Sequence, residues 1–241
     1  MNPCIFDEET NRINRIYSER AYDNDPEYSD RNPVYLQRVQ SMERATLKSL
    51  NKAKIAEKLS DLKILDYGCG NGKWFGRWIS WGASPGNLTG VDIRSEAIDM
   101  ARQCFPNCIF QTIIAGSVPF PDASFDIIIA NKVFSSILDK KIRFKAAKEM
   151  TRLLKPNGHL VWCDLAFNNP WNPNVKGVKK RNIKELFREF ENVYTRSIII
   201  APPIARRLVP FSWILSEIFE FCLPMIRSHL FALLRKPACK V

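Results

Sequence analysis

Between Ile64 and Gly72 the chain reads Ile-Leu-Asp-Tyr-Gly-Cys-Gly-Asn-Gly, an apolar run that ends in an acid and opens into glycines at alternate positions. The run predicts a buried strand, and the glycines predict the turn that leaves it. Gly68, Gly70 and Gly72 let the backbone bend sharply and approach a ligand closely, because no Cβ intrudes. The acid then narrows the choice of ligand. In a turn that holds a pyrophosphate at a helix N-terminus, a carboxylate at Asp66 would repel the ligand, whereas it would attract a cationic one. Further on, Leu88-Thr89-Gly90-Val91-Asp92-Ile93 predicts a second short strand, whose terminal carboxylate can accept both hydroxyls of a ribose.

An adenosyl group carrying a positive charge suits both acids. A third block, Val118 to Asn131, feeds a turn rich in Pro, Asp and Ser into the wholly apolar strand Phe125-Asp126-Ile127-Ile128-Ile129-Ala130-Asn131, the pattern of a strand buried on both faces. Leu153 to Trp162 then runs from a helix end through Pro156-Asn157-Gly158 into a fifth strand. From 62 to 165 the alternation of strands and helices implies parallel crossovers, hence a doubly wound α/β sheet. With these blocks in order, the chain resembles the class I S-adenosylmethionine-dependent methyltransferases that act on small molecules, from about residue 60 to about 165. The resemblance implies a Rossmann-like, mostly parallel seven-stranded sheet with an N-terminal helical lid and a C-terminal helical extension. It also implies S-adenosylmethionine held by Asp66, Gly68, Gly70, Gly72 and Asp92, with Ile93 against the adenine and Asn131 bordering the site of methyl transfer.

Two departures from that pattern bear on the chemistry. Many relatives carry an acid just after the third strand, but Thr112-Ile113-Ile114-Ala115-Gly116-Ser117 has none, which leaves Ser117 as the expected cofactor contact there. After the fourth strand, Val133-Phe134-Ser135-Ser136-Ile137 stands where many relatives have a histidine suited to general-base work. Ser136 does not do that work unaided.

A chain of 241 residues with 46% hydrophobic content is long enough to bury a large core. The expected division is a lid and helices over 1–60, the cofactor-binding core over 61–200 and a basic, apolar helical extension over 201–241. Met1 to Glu9 lacks the basic-then-apolar order of a signal peptide, so the expected location is cytoplasmic. Seven cysteines at irregular positions read as buried free thiols, and Cys104 with Cys108 lacks partners at zinc-ligand spacing, so no metal is expected. The formal charge of +11 is uneven: from Lys176 onward thirteen Lys or Arg face five Asp or Glu. Such a surface attracts nucleic acid, anionic lipid or phosphorylated substrates, and it is also compatible with a merely solvated face.

Before the first strand, Tyr17, Tyr22 and Tyr28 lie among many charges, ahead of a helical stretch from about Val34 to Leu59 with Val39, Met42 and Leu50 on one face. Tyrosines here can close over a sulfonium by cation–π attraction or pack plainly against the sheet. Beyond the fifth strand, Asp164 to Gly177 holds four asparagines, two prolines and a tryptophan. Asn169 can hydrogen-bond hydroxyls and the face of Trp171 can stack on a sugar, although turn formation also selects Asn and Pro. The wording of this loop and of Ala201 to Arg206 resembles methyltransferases of bacterial polysaccharide and O-antigen biosynthesis. That resemblance implies O-methylation of a saccharide on a nucleotide or lipid carrier, with Asp164 as the expected base and His159, inside a strand, a poorer one.

Phe211 to Leu223 is apolar, carries two glutamates and is stopped by Pro224, too short and charged to span a bilayer. Met225 to Lys236 mixes bulky apolar with basic residues, a pattern expected of a helix lying in a membrane interface, on the core or in a dimer contact. The readings left open are a saccharide O-methyltransferase with a glycan partner and peripheral membrane contact, a lipid or quinone methyltransferase, and a cofactor-binding subunit without catalysis. An RNA methyltransferase lacks support, because Asn131-Lys132-Val133-Phe134 is not a nucleic-acid-modifying motif.

Overall fold

The structure is a computed structural model that describes residues 3–19, 26–114, 116–170 and 172–238. Two helices lead, α1 (Pro3–Glu19) and α2 (Pro33–Lys52), followed by β1 (Ile64–Tyr67), α3 (Phe75–Ser80), β2 (Leu88–Asp92), α4 (Ser95–Cys104) and β3 (Ile109–Thr112). The second half holds β4 (Phe125–Asn131), α5 (Val133–Ser136), α6 (Lys140–Leu153), β5 (Leu154–Leu165), α7 (Lys180–Leu186), β6 (Glu191–Ile200), α8 (Pro202–Phe211), α9 (Trp213–Cys222) and β7 (Arg227–Arg235). Local chemistry sets several of these boundaries. Asn32 caps α2 by accepting from Val34 N at 3.0 Å ahead of Pro33, and Asp139 caps α6 by accepting from Lys141 N and Ile142 N at 2.7 and 3.0 Å. The helix expected to reach Leu59 stops at Lys52, because Lys54 turns left-handed at φ 57° and a 3₁₀ turn over Ala56–Asp61 follows.

The strands form one seven-stranded sheet in the order β3-β2-β1-β4-β5-β7-β6, with β7 antiparallel to both its neighbours. Side chains alternate across it. Leu65 and Tyr67 pack with Ile142, Ala146 and Met150 of α6, while Ile64 of the same strand packs with Trp78 of α3 and Ile98 of α4. Helices therefore cover both faces, which is why β1 and β4 read as continuous apolar runs.

The C-terminal stretch corrects the expectation. Met225 to Lys236 is not an interfacial helix: residues 227 to 235 are β7, buried between β5 and β6 with Ala232 opposite both Trp162 and Thr195. A short apolar run buried on both faces carries no periodicity that separates strand from helix, and Ala and Leu favour helix locally. The sheet overrides that preference. Its basic residues are occupied as well. Lys236 Nζ donates to Thr151 O and Leu154 O at 2.7 Å each, at the end of α6, and Arg235 pairs with Glu191. Arg227 donates to Glu220 O and Phe221 O at 2.6 and 2.8 Å, satisfying carbonyls at the end of α9. The helical extension is α8 and α9 alone. The described thiols are free, but only Cys163 is buried, whereas Cys104 and Cys222 are exposed. Among the described residues no helix is long and apolar enough to cross a membrane, and no cluster of His, Cys, Asp and Glu could hold a metal.

Candidate functional site

Strand order reverses between β1 and β4, and open α/β sheets leave a crevice outside the carboxyl ends of the strands at such a point. Here it is a cavity of about 250 Å³, floored by the glycine turn and the ends of β1, β2 and β4 and roofed by α1, Tyr28 and Tyr35. The glycine turn wraps over β2. Gly68 N and Cys69 N donate to Val91 O at 2.7 and 3.0 Å, and Gly70 N donates to Asp92 Oδ2 at 2.8 Å. Gly68 has φ +78°, and a Cβ there would lie 2.9 Å from Val133 Cγ2, so both conformation and space demand glycine.

Asp92 also accepts from Arg94 N and Nε at 3.0 and 3.2 Å. The Arg94 guanidinium lies 4.8 Å from the centroid of the Tyr17 ring, so a protein cation occupies the face expected to meet a ligand's. Tyr17 Oη donates to Ser136 Oγ at 2.9 Å, and Ser136 Oγ in turn donates to Lys132 O at 3.0 Å. Helix α1 is pinned over the cavity by Glu9, which accepts from Arg12 at 2.7 Å and from Leu138 N at 2.6 Å, while Arg12 donates to Ser136 O. Burial pushes the Glu9 carboxyl up, but Arg12 and the Leu138 amide more than offset it and hold it below the usual carboxylate range.

Three groups carry unbalanced chemistry. Asp66 is buried, and burial, with the Asp92 charge adding to it, pushes its carboxyl up to about 7. Asn131 Oδ1 is buried without a hydrogen-bond partner among the described residues, an acceptor that a ligand donor could satisfy. Lys132, on the same wall, is pushed down to about 7 by burial first and then by Arg38. An acid pair and an orphaned acceptor around a glycine turn fit a cationic adenosyl ligand, which would supply donors to Asn131 and charge to Asp66.

Of the site residues expected from sequence, Asp66, Gly68, Gly70, Asp92, Ile93, Asn131 and Tyr17 line the cavity. Gly72 lies behind it, where a Cβ would come 3.3 Å from Ala101 Cβ, so it serves the packing of α4. Ser117 points outward and is exposed, and Gly116 lines the wall in its place. Asn169 is exposed and off the cavity; Trp171 and Tyr22 lie outside the described residues. Asp164 is fully buried and does not line the cavity. It accepts from Phe134 N, Ser135 N and Leu165 N at 2.8, 3.0 and 2.9 Å, capping α5, and burial outweighs those bonds to push it up to about 6. His159 sits in β5 opposite Arg235, lowered by burial and then by that charge. Arg38, Lys73, Trp74 and Lys132 also line the site. Their only sequence signal was position: one precedes the first strand by a whole helix, and Lys132 abuts the strand end already singled out.

Residues 64–158 match a protein family described as a methyltransferase domain. An uncharacterized methyltransferase-like protein of Schizosaccharomyces pombe is 32% identical over 124 residues, 51% of this chain and 46% of that protein. The phthiotriol/phenolphthiotriol dimycocerosates methyltransferase of Mycobacterium leprae is 29% identical over 151 residues, 62% of this chain and 53% of that one. The chain spans about half the length of these curated relatives. Among solved structures, a putative sarcosine dimethylglycine methyltransferase from Galdieria sulphuraria superposes with a TM-score of 0.60 at 16% identity, covering 80% of this chain and 86% of that one. A methyltransferase from Methanosarcina mazei superposes with a TM-score of 0.56 at 22% identity, covering 73% and 93%. The fold is the one these proteins share.

Proposed function

We propose that the chain, whose residues 64–158 match a methyltransferase domain, is a class I S-adenosylmethionine-dependent enzyme that methylates a hydroxyl of an amphipathic acceptor, a lipid or a lipid-linked glycan. The observation that carries the cofactor is the cavity wall on which buried Asp66, ion-paired Asp92 and the unpartnered Asn131 Oδ1 converge around the glycine turn. Asp92 would take the ribose hydroxyls, Ile93 the adenine, and Asp66 with the turn the charged methionyl part. When bound, S-adenosylmethionine supplies a methyl group on positively charged sulfur, which leaves as a neutral thioether. The chain's own residues do the rest. Helix α1, fastened through Glu9 and Arg12 to the segment after β4, excludes water, and Tyr17 and Ile13 narrow the space in which an acceptor oxygen is oriented.

The acceptor class rests on α8 and α9. Phe211, Ile214, Phe221 and Met225 are 80%, 72%, 70% and 82% exposed, and Ile218 and Phe219 extend the same apolar surface. Contiguous exposed apolar surface of this kind marks a binding face. Arg206 and Arg207 stand beside it, exposed, and Arg206 pairs at 3.1 Å with Glu27, next to the Tyr28 that roofs the cavity. No residue of α8 or α9 lines the cavity, and the Arg206–Glu27 pair ties this basic, apolar surface to the segment that carries Tyr28; such a surface suits an anionic membrane from which an amphipathic acceptor is drawn. The mycobacterial relatives named for phthiotriol dimycocerosates, a lipid class, favour the same reading. A glycan enters it as the headgroup of a lipid carrier, since Asn169 stands off the cavity.

Calorimetry with S-adenosylmethionine and S-adenosylhomocysteine tests the cofactor, with Asp92→Ala and Gly70→Val as controls; binding by wild type and its loss in both variants is expected. Labelled methyl donor is then supplied with total lipid extracts and, separately, with nucleotide sugars. Label in the lipid fraction supports the acceptor class. Label only in nucleotide sugars replaces it, and absence of cofactor binding by folded wild type overturns the reading as a whole.

A further inference from the structure

Lys132 follows Asn131, the last residue of β4, with φ 59° and ψ 26°. A lysine held in the left-handed region is uncommon, and such conformations persist where the surroundings impose them, often at functional sites. Here the constraint is visible: Lys132 N donates to Cys163 O at 2.7 Å, and Phe134 N and Ser135 N are fixed by Asp164, so the chain must turn sharply between strand and helix. The turn leaves Lys132 on the cavity wall beside Asn131 and Ser136.

Its amine makes no hydrogen bond or ion pair among the described residues. Arg38 of α2 and Lys73 after the glycine turn face it with like charge, while Cys163 and Asp164 of β5 act in the opposite sense; His229 of β7 is itself lowered by burial and then by Arg38 and Lys132. Three backbone amides hold the Asp164 carboxylate, which makes no ion pair with the amine among the described residues. Burial is the largest influence, and the balance leaves the amine readily deprotonated. The carboxylates of the cavity have other roles: Glu9 is held by Arg12 and Leu138, and in the reading above Asp92, held by Gly70 and Arg94, and Asp66 serve the cofactor. No histidine lines the cavity among the described residues.

We propose that Lys132 is the proton acceptor of the methyl transfer, filling the place left without a histidine after β4; the proposal rests on the methyltransferase reading above. The acceptor O–H bond breaks, its proton passes to the lone pair of Lys132 Nζ, the oxygen forms the new O–CH₃ bond, and the pair of the broken C–S bond returns to sulfur. The ammonium then releases the proton to solvent through the cavity mouth.

Competitive acetylation across pH, read lysine by lysine by mass spectrometry on the intact chain with and without S-adenosylhomocysteine, measures the amine with no acceptor needed. About half of Lys132 should be neutral near pH 7, against fewer than about 1 in 1,000 of ordinary lysines. With labelled methyl donor and lipid extract, Lys132→Met should lower kcat about 100-fold or more with KM within about threefold, and Lys132→Arg should not rescue it. Affinity for S-adenosylmethionine should stay within about twofold in both variants. Lys132 titrating with the bulk lysines, or Lys132→Met keeping kcat within tenfold, overturns the proposal alone. A wild type that fails to bind S-adenosylmethionine removes the underlying reading and the proposal with it.

Discussion

Asp66→Asn should make the protein's stability less sensitive to pH and should silence a proton that the cofactor otherwise releases. The Asp66 carboxyl is buried at the end of β1 with Asp92 nearby, and burial first and Asp92 second raise it from 3.8 to about 7. A raised carboxyl binds its proton in the fold at pH values where the unfolded chain has lost it. The stability it contributes is therefore fully present below about pH 4 and lost as pH rises through about 7. At about 1.4 kcal/mol per pH unit, a gap of about three units amounts to about 4 kcal/mol. Asparagine keeps the shape and removes the titration. Denaturant unfolding of both proteins at several pH values should show the wild type losing about 4 kcal/mol relative to Asp66→Asn between about pH 4 and 7. A cationic ligand beside Asp66 reverses the balance and drives the proton off. Calorimetry at pH 7 in buffers of different ionisation enthalpy should then register about half a proton released per S-adenosylmethionine bound, and none in Asp66→Asn. Stability profiles that run parallel, or equal proton release by the two proteins, would refute the placement of Asp66 as the charge partner of the ligand.

Asp164→Ala should cost about 3 kcal/mol or more in denaturant unfolding, because three buried amides lose their acceptor. Full stability combined with lost methyl transfer would return Asp164 to catalysis. Gly68→Ala should cost about 1–2 kcal/mol from its positive φ and weaken S-adenosylmethionine at least tenfold, and adding Val133→Ala should relieve the 2.9 Å contact but not the backbone. Phe211→Ser with Phe221→Ser should leave unfolding within about 0.5 kcal/mol of wild type, since both side chains are exposed. It should abolish co-sedimentation with phosphatidylglycerol vesicles, and retained sedimentation would remove the membrane-facing role of α8 and α9.

The parallel half of the fold was legible because each of its signals is local. Ile64 to Gly72 places strand, acid and turn within nine residues, and the turn glycines take positive φ as their spacing required. The antiparallel end was not legible for a reason that is equally physical. What makes Arg227 to Arg235 a strand is the vacancy between β5 and β6, a relation between segments some thirty to seventy residues away, and nothing in Leu230-Phe231-Ala232-Leu233-Leu234 encodes it. The basic residues around that run were mistaken for a surface pattern because the carbonyls they satisfy, at Thr151, Leu154, Glu220 and Phe221, belong to helix ends brought there by the sheet.

The site divides along the same line. The groups proposed to bind the cofactor sit within two residues of a strand end, so strand boundaries together with the family resemblance placed Asp66, Asp92, Ile93 and Asn131 on the cavity. Asp164 satisfies that criterion too, yet it faces the amides of α5 and not the cavity, because a strand-end carboxylate next to unsatisfied helix N–H groups is drawn to them. Its diversion has a consequence for Lys132. Had Asp164 paired with the amine, Lys132 would be a fixed charge; with its oxygens accepting from Phe134, Ser135 and Leu165, burial first and then Arg38 set the balance. The residue that looked catalytic from sequence thus shapes the chemistry by what it declines to neutralise, and Asp164→Asn, which keeps the amide contacts in part, should shift the titration of Lys132 further downward. An unmoved titration would show that the carboxylate charge does not reach the amine and that the cap and the cavity are independent.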